Sequence, residues 1–199
     1  IIQVMPNISS GTSDNSRIGD QIRAKKMAVK GCIVWNPVAA NFGTYTSSRL
    51  YVRVMIVSPK QYGNVSDAVA NSAWLNTLLK KGGTTTAFTG AINDLWAPIN
   101  TDAVTKYYDK VLSLTAFYAG GGASMVQMIG TTKFFSKTMR FKGAGKQLKY
   151  DSSVASGLTP TNFAPVMLIG YCYADGSSAS TLTTDISAQF DCVFQYQDM

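Results

Sequence analysis

The sequence predicts an all-β fold of two packed antiparallel sheets, and three observations predict it. Segments of alternating apolar and polar residues recur along the chain, Gly, Ser, Thr, Asn and Pro cluster between them, and only one segment has a helical pattern. At 199 residues a single domain can bury a sizeable core. No internal repeat or low-complexity linker divides it, so residues 1–199 are read as one domain. Residues 1–15 form an extended amino-terminal segment ahead of the first long strand.

That strand runs from about Ile22 to Trp35, with Met27, Val29, Ile33 and Trp35 on one face and Lys26, Ala28, Lys30 and Cys32 on the other. From Arg49 to Ser58, Leu50, Val52, Val54 and Ile56 oppose Tyr51, Arg53, Met55 and Val57, a pattern that suits a strand covered on both faces. Pro59 ends it. The helical segment follows: Ser66 caps a helix over residues 67–81, Asp67 suits its positive end, Lys80 and Lys81 suit its negative end, and Gly82 stops it. Val69, Ala73, Leu75, Leu78 and Leu79 form its apolar stripe, with Trp74 at the margin. Further strands are expected near 84–89, 105–118, 133–142, 146–150 and 165–174. The last strand alternates Ile186, Ala188, Phe190, Cys192, Phe194 and Tyr196 with mostly polar neighbours. Polar connections at 36–47, 89–101, 119–124 and 175–181 belong at the ends of a sandwich. The fold expected is a single eight-stranded antiparallel jelly-roll sandwich with one short helix in a connecting loop.

Chemistry is poorly provided for. The chain has no histidine and no glutamate, so the usual neutral-pH acids and bases are missing, and no enzymatic activity is expected. No GxSxG or SxxK pattern supplies a nucleophile. Asp94 with Asp102, or Asp185 with Asp191, are the carboxylate pairs a glycosidase would need, but loop polarity and strand-face solvation account for them better. Gly120 to Gly122 lacks the Lys-Ser/Thr pair of a phosphate loop. Cys32, Cys172 and Cys192 are too scattered for a metal or disulfide framework. No cofactor and no metal site is expected, since zinc would need more soft ligands and no loop has EF-hand spacing. There is neither an 18-residue apolar run nor a signal-peptide layout, so no membrane association is expected.

Charge is the informative property. Eighteen Lys and Arg against eleven Asp give +7, yet charged residues are only 15% of the chain. So little charge leaves much neutral surface, which favours extensive subunit contacts. Residues 110–150 carry Lys110, Lys133, Lys137, Arg140, Lys142, Lys146 and Lys149 without one acid. From Asp151 onward there are five acids and no cation. Such polarity gives the molecule a polyanion side. Two groups are candidates for phosphate contact: Arg17, Arg23, Lys25, Lys26 and Lys30, and Lys133, Lys137, Arg140, Lys142 and Lys146. Because alternate residues of a strand face opposite ways, not all of either group can line one surface. Tyr107, Tyr108, Phe134, Phe135 and Tyr150 lie beside cations and are candidates for stacking on bases.

Arg17-Ile18-Gly19-Asp20, followed at once by the basic strand Gln21 to Gly31, resembles the start of the first jelly-roll strand in capsid proteins of small circular single-stranded DNA viruses, the circovirus-like group. Similar features follow in order: the strand Leu50 to Val57, Ala97 to Asn100 ahead of Lys106 to Leu112, the basic strand Lys137 to Lys142, Leu148 to Tyr150, the apolar strand ending at Asp175, and the final aromatic strand. The likeness extends from about residue 16 to 197. It implies a structural capsid protein whose partners are copies of itself and a single-stranded genome, DNA by this likeness, in an icosahedral virion assembled inside the host cell. It also implies an arginine-rich amino-terminal arm; no Arg cluster precedes Arg17, so either the arm is expected upstream of Ile1 or encapsidation relies on the folded domain's own cations. Small RNA viruses and satellites use similar single jelly rolls, so an RNA genome is the alternative. A jelly-roll lectin or adhesin is another, with Trp96, Tyr45 and Tyr118 as glycan contacts.

Overall fold

The computed structural model of the chain describes residues 1–12, 16–36, 49–118, 126–127, 131–151, 158–176 and 186–198. In chain order its strands are β1 (Ile2–Gln3), β2 (Gln21–Trp35), β3 (Arg49–Pro59), β4 (Leu79–Lys81), β5 (Thr84–Thr86), β6 (Val104–Thr115), β7 (Phe117–Tyr118), β8 (Val126–Gln127), β9 (Thr132–Arg140), β10 (Lys146–Lys149), β11 (Val166–Tyr173) and β12 (Ile186–Asp198). Eight of them make two antiparallel sheets. One has the order β1-β11-β3-β6; in the other β2 is central, with β12 on one edge and β9 and β10 end to end on the other. The remaining four pair as two short ribbons, β4-β5 and β7-β8.

The sandwich forms because one side of each sheet is apolar. Ile22, Ala24, Met27, Val29, Ile33 and Trp35 of β2 pack against Leu50, Val52, Val54 and Ile56 of β3, with Leu112, Leu114, Phe135, Met139 and Leu148 closing the same core. Each large aliphatic or aromatic side chain removed from water there contributes about 1.5–3 kcal/mol. Phe190, Cys192, Phe194 and Tyr196 of β12 pack on it partly buried, as their alternation requires. Gly31 is where both neighbours of β2 crowd the strand. A Cβ there would run into the Gln189 carbonyl oxygen and lie 2.7 Å from Phe190 Cβ and 2.8 Å from the Phe135 ring.

The expectation that β3 is covered on both faces holds. Its other side chains, Met55 and Val57, join Val166 and Leu168 of β11 under a second apolar layer contributed by Val65, Ala68, Trp74, Leu78 and Leu79. This cover is not the helix expected over 67–81. Helix α1 spans only Val65–Ala70, its cap is Asn64, whose side chain accepts from the Asp67 N–H at 2.7 Å, and Ser66 is its second residue. A 3-10 turn, Ser72–Thr77, follows, and Lys80 and Lys81 belong to a strand. Gly82 is therefore no helix stop. With φ of 61° it turns the β4-β5 hairpin, where Gly-Gly suits a two-residue loop. The burial order reverses accordingly: Trp74 is 4% exposed and donates its indole N–H to the Ala68 carbonyl at 2.8 Å, while Val69 is 42% exposed.

Arg53 ties cover to sheet. Its guanidinium, 2% exposed, meets Asp109 of β6 through two hydrogen bonds of 2.7 Å and donates to the carbonyls of Asp94 and Ala97. Asp94 is fully buried, paired with Lys81 and accepting from the Thr89 N–H at 2.6 Å and hydroxyl at 2.8 Å. Burial opposes ionisation of Asp94, but these donors outweigh it and hold its carboxyl below the usual value.

Candidate nucleic-acid interface

The sheet containing β2 has one face in the core and leaves the other uncovered by any described layer, and the cations gather there. Strict alternation would send Arg23 and Lys25 to one side and Lys26 and Lys30 to the other. The register with β12 skips a residue instead: Gln195 faces Lys26, and Tyr196 faces Ala24. Lys25 is thus the extra residue of a β-bulge, a device that re-aims side chains. Ala24 and Met27 are both fully buried, so Lys25 and Lys26 between them share the outer side with Arg23 and Lys30. Four of the five amino-terminal candidates line one surface.

Neighbouring strands extend it. Arg140 of β9 stands directly opposite Lys26, and Lys149 of β10 opposite Gln21. Gln195 and Gln197 of β12 flank Lys26 and Arg23 and supply neutral donors. Among the described residues, Asp191, opposite Lys30, is the single carboxylate at the outward positions of these four strands. Lys25 donates to the Ala144 carbonyl at 2.8 Å and so leans toward the β9-β10 turn. Like charges set opposite one another on a sheet are destabilising by a few tenths of a kcal/mol or more. A surface that served solubility alone would intersperse signs.

The other candidates lie elsewhere. Arg17 does not join the face: it is 2% exposed, its guanidinium lies 4.4 Å from the centre of the Tyr150 ring, and it pairs with Asp20 at 3.2 Å. It anchors the segment before β2, whose Ser16 carbonyl accepts from the Tyr196 hydroxyl at 2.9 Å. Lys133 and Lys137 sit on β9 opposite Ile33 and Val29, hence on the core side at the sheet margin. Lys142 is exposed in the turn after β9, and the Lys146 ammonium lies 5.1 Å from the centre of the Phe163 ring. Lys149, absent from the expected set, is the cation that the Lys-Gln-Leu-Lys alternation of β10 reveals.

The aromatic candidates divide as sharply. Phe135 and Tyr150 are buried, Tyr108 packs 6.3 Å from Phe135, and Tyr107 meets Phe163 edge-on at 6.1 Å. Burial also pushes the Tyr150 phenol well above the usual range, against the pull of Arg17. Phe134 alone of the five points outward, 76% exposed.

Asp94 is enclosed, and Asp102 is exposed and paired with Lys80 at 2.6 Å, so each carboxylate has its own lysine. Asp185, Gly120 to Gly122 and Tyr45 lie outside the described residues, as does the side chain of Tyr118; Trp96 is exposed after the short turn Ile92–Leu95. The three cysteines are free thiols, and burial, helped by Asp191, pushes the Cys192 thiol up to about 11. Among the described residues no three Cys or Asp side chains come together as a metal site, and no helix is long and apolar enough to cross a membrane. No protein-family model matches the chain, and no curated protein matches it.

Proposed function

We propose that this chain is a jelly-roll capsid protein that assembles with copies of itself into an icosahedral shell and holds single-stranded nucleic acid, DNA by the resemblance of its first strand, against one sheet. The observation that carries the reading is the outer face of β2, β9 and β10, where Arg23, Lys25, Lys26, Lys30, Arg140 and Lys149 gather on one side. Cations in that number bind phosphate largely without reading bases, which is what packaging requires. The other sheet is a poor candidate for the inward face, because the Val65 to Leu79 cover lies on it. The nested pairs, β2 with β12 and β3 with β11, support the jelly-roll description. The low charge of the chain suits tiling by neutral surfaces.

Electron microscopy of the purified protein, with extraction of any nuclease-protected nucleic acid, tests the proposal. Closed particles containing protected single strands are expected. A protein that stays monomeric at every concentration and ionic strength refutes it. The exposed Trp96 favours the glycan-binding alternative, which predicts sugar binding by a monomer or small ring free of nucleic acid.

A further inference from the structure

We infer that the cationic sheet face seats an unpaired nucleobase on Phe134, so that it discriminates single-stranded nucleic acid from duplex by stacking as well as by charge; this rests on the reading of that face as a phosphate-binding surface. Phe134 is out of keeping with its strand. The other outward side chains of β9 are Thr132, Ser136, Thr138 and Arg140, the polar set that keeps an exposed strand soluble. A phenyl ring 76% exposed among them gives the fold little, since the core contact at this end of β9 is made by Phe135.

Its surroundings have the shape and chemistry of a base subsite. Phe134 stands opposite Cys32, with Gln189 next in the same cross-strand row; Ser136, Lys30 and Asp191 form the adjacent row. These six residues line a shallow depression of about 650 Å³. That falls within the range of small-ligand sites. The short side chains of Cys32 and Ser136 leave the space beside the ring open. The ring offers a stacking surface that every base can use. The Gln189 amide can donate or accept, and the Asp191 carboxylate can accept from an exocyclic amino group, so both serve a base edge. Lys30, diagonal to Phe134 and hence roughly 7–8 Å away along the sheet, supplies a cation for the adjoining phosphate. The single acid of the face thus acquires a role where a carboxylate facing phosphate would be a liability. A base within a duplex has both faces stacked and cannot reach the ring without being unpaired. A second copy of the chain is a poor occupant, because the same face of that copy would bring its own cations against these.

The test uses the 199-residue chain below its assembly concentration, with a short labelled single-stranded oligonucleotide and its duplex, across a salt series. Phe134→Ala is expected to weaken single-strand binding roughly 5- to 150-fold, the range that stacking of one base converts to. Duplex binding and the salt slope stay unchanged. Phe134→Trp retains single-strand binding, and its new indole emission is quenched as the oligonucleotide binds. If Phe134→Ala binds single strands as the parent does, with the same salt slope, the stacking inference is overturned and the cationic surface stands. If the parent chain binds neither polymer in a salt-dependent way, the underlying reading falls, and this inference with it. Because the residue is exposed, both variants should keep the parent's thermal midpoint, which serves as the folding control.

Discussion

Replacing Lys26 and Arg140 together by Gln removes the directly opposed pair at the centre of the cationic face, and its effect on binding can be worked out from the register. Six cations occupy the outward positions: Arg23, Lys25, Lys26, Lys30, Arg140 and Lys149. Each phosphate neutralised on a single strand contributes about 0.7 to the slope of log affinity against log salt, so full engagement gives a slope near −4. Raising salt from about 50 to about 200 mM then lowers the parent's affinity roughly 300-fold. With two cations removed the slope falls to about −3 and the same change costs roughly 50-fold. Stability should hold or rise by a few tenths of a kcal/mol, because a like-charge contact is relieved. Fluorescence anisotropy of a labelled oligonucleotide at a series of salt concentrations measures the slope. The control is Lys106→Gln with Lys110→Gln on β6, in the other sheet, which should leave it unchanged. An unaltered slope in the Lys26/Arg140 variant, or an equal loss in the control, refutes the assignment of phosphate contact to this face.

Three further outcomes are expected, each read by chemical denaturation. Arg53→Met leaves Asp109 and two carbonyls without their donor and should cost about 3–5 kcal/mol, much of it recovered by adding Asp109→Leu; a change below 1 kcal/mol would contradict a buried pair. Trp74→Ala should cost about 3–5 kcal/mol, and Val69→Ser no more than about 0.5; the reverse ranking would restore the long amphipathic helix. The Asp94 carboxyl titrates below its usual 3.8 in the folded chain, so the unfolded state takes up its proton first. Its stabilisation is complete above the unfolded value and disappears as pH falls through that value toward the folded one. Asp94→Asn should therefore be less stable than the parent at pH 7 and show a flatter acid limb, and an unchanged acid limb would count against the ion pair with Lys81.

The long strands are legible in the sequence because each has one face in the core, so that burial imposes a period of two on β2 and β12 and an unbroken apolar run on β3. The short elements are not. β1 has only two residues, and β4 owes its pairing to β5 across a glycine turn and to a bridge with Ile99, which are contacts set by tertiary packing. Val69, Ala73, Leu75, Leu78 and Leu79 read as a helical stripe because local apolar spacing does not reveal that Asn71 ends the helix and lets Trp74 turn inward. The cationic site was half readable. Lys26 and Lys30 follow from alternation, whereas Lys25 reaches the same side through a bulge that appears only in the pairing with β12. Arg17 is misread for a related reason: charge in a sequence carries no burial, and the Tyr150 ring that covers it lies far along the chain.

The bulge at Lys25 has a geometric corollary. It falls where β9 gives way to β10 along the edge of β2, so the strand acquires extra right-handed coil at the point where its lateral support changes. Twisted sheets are saddle-shaped as a class, and a bulge at this point adds to the twist between the end bearing Phe134 and Lys30 and the end bearing Arg23 and Lys149. A stiff rod laid on a saddle touches it at few points. A limp thread can follow the whole curve, so contour alone favours polymers whose persistence is far shorter than the roughly 50 nm of double-helical DNA.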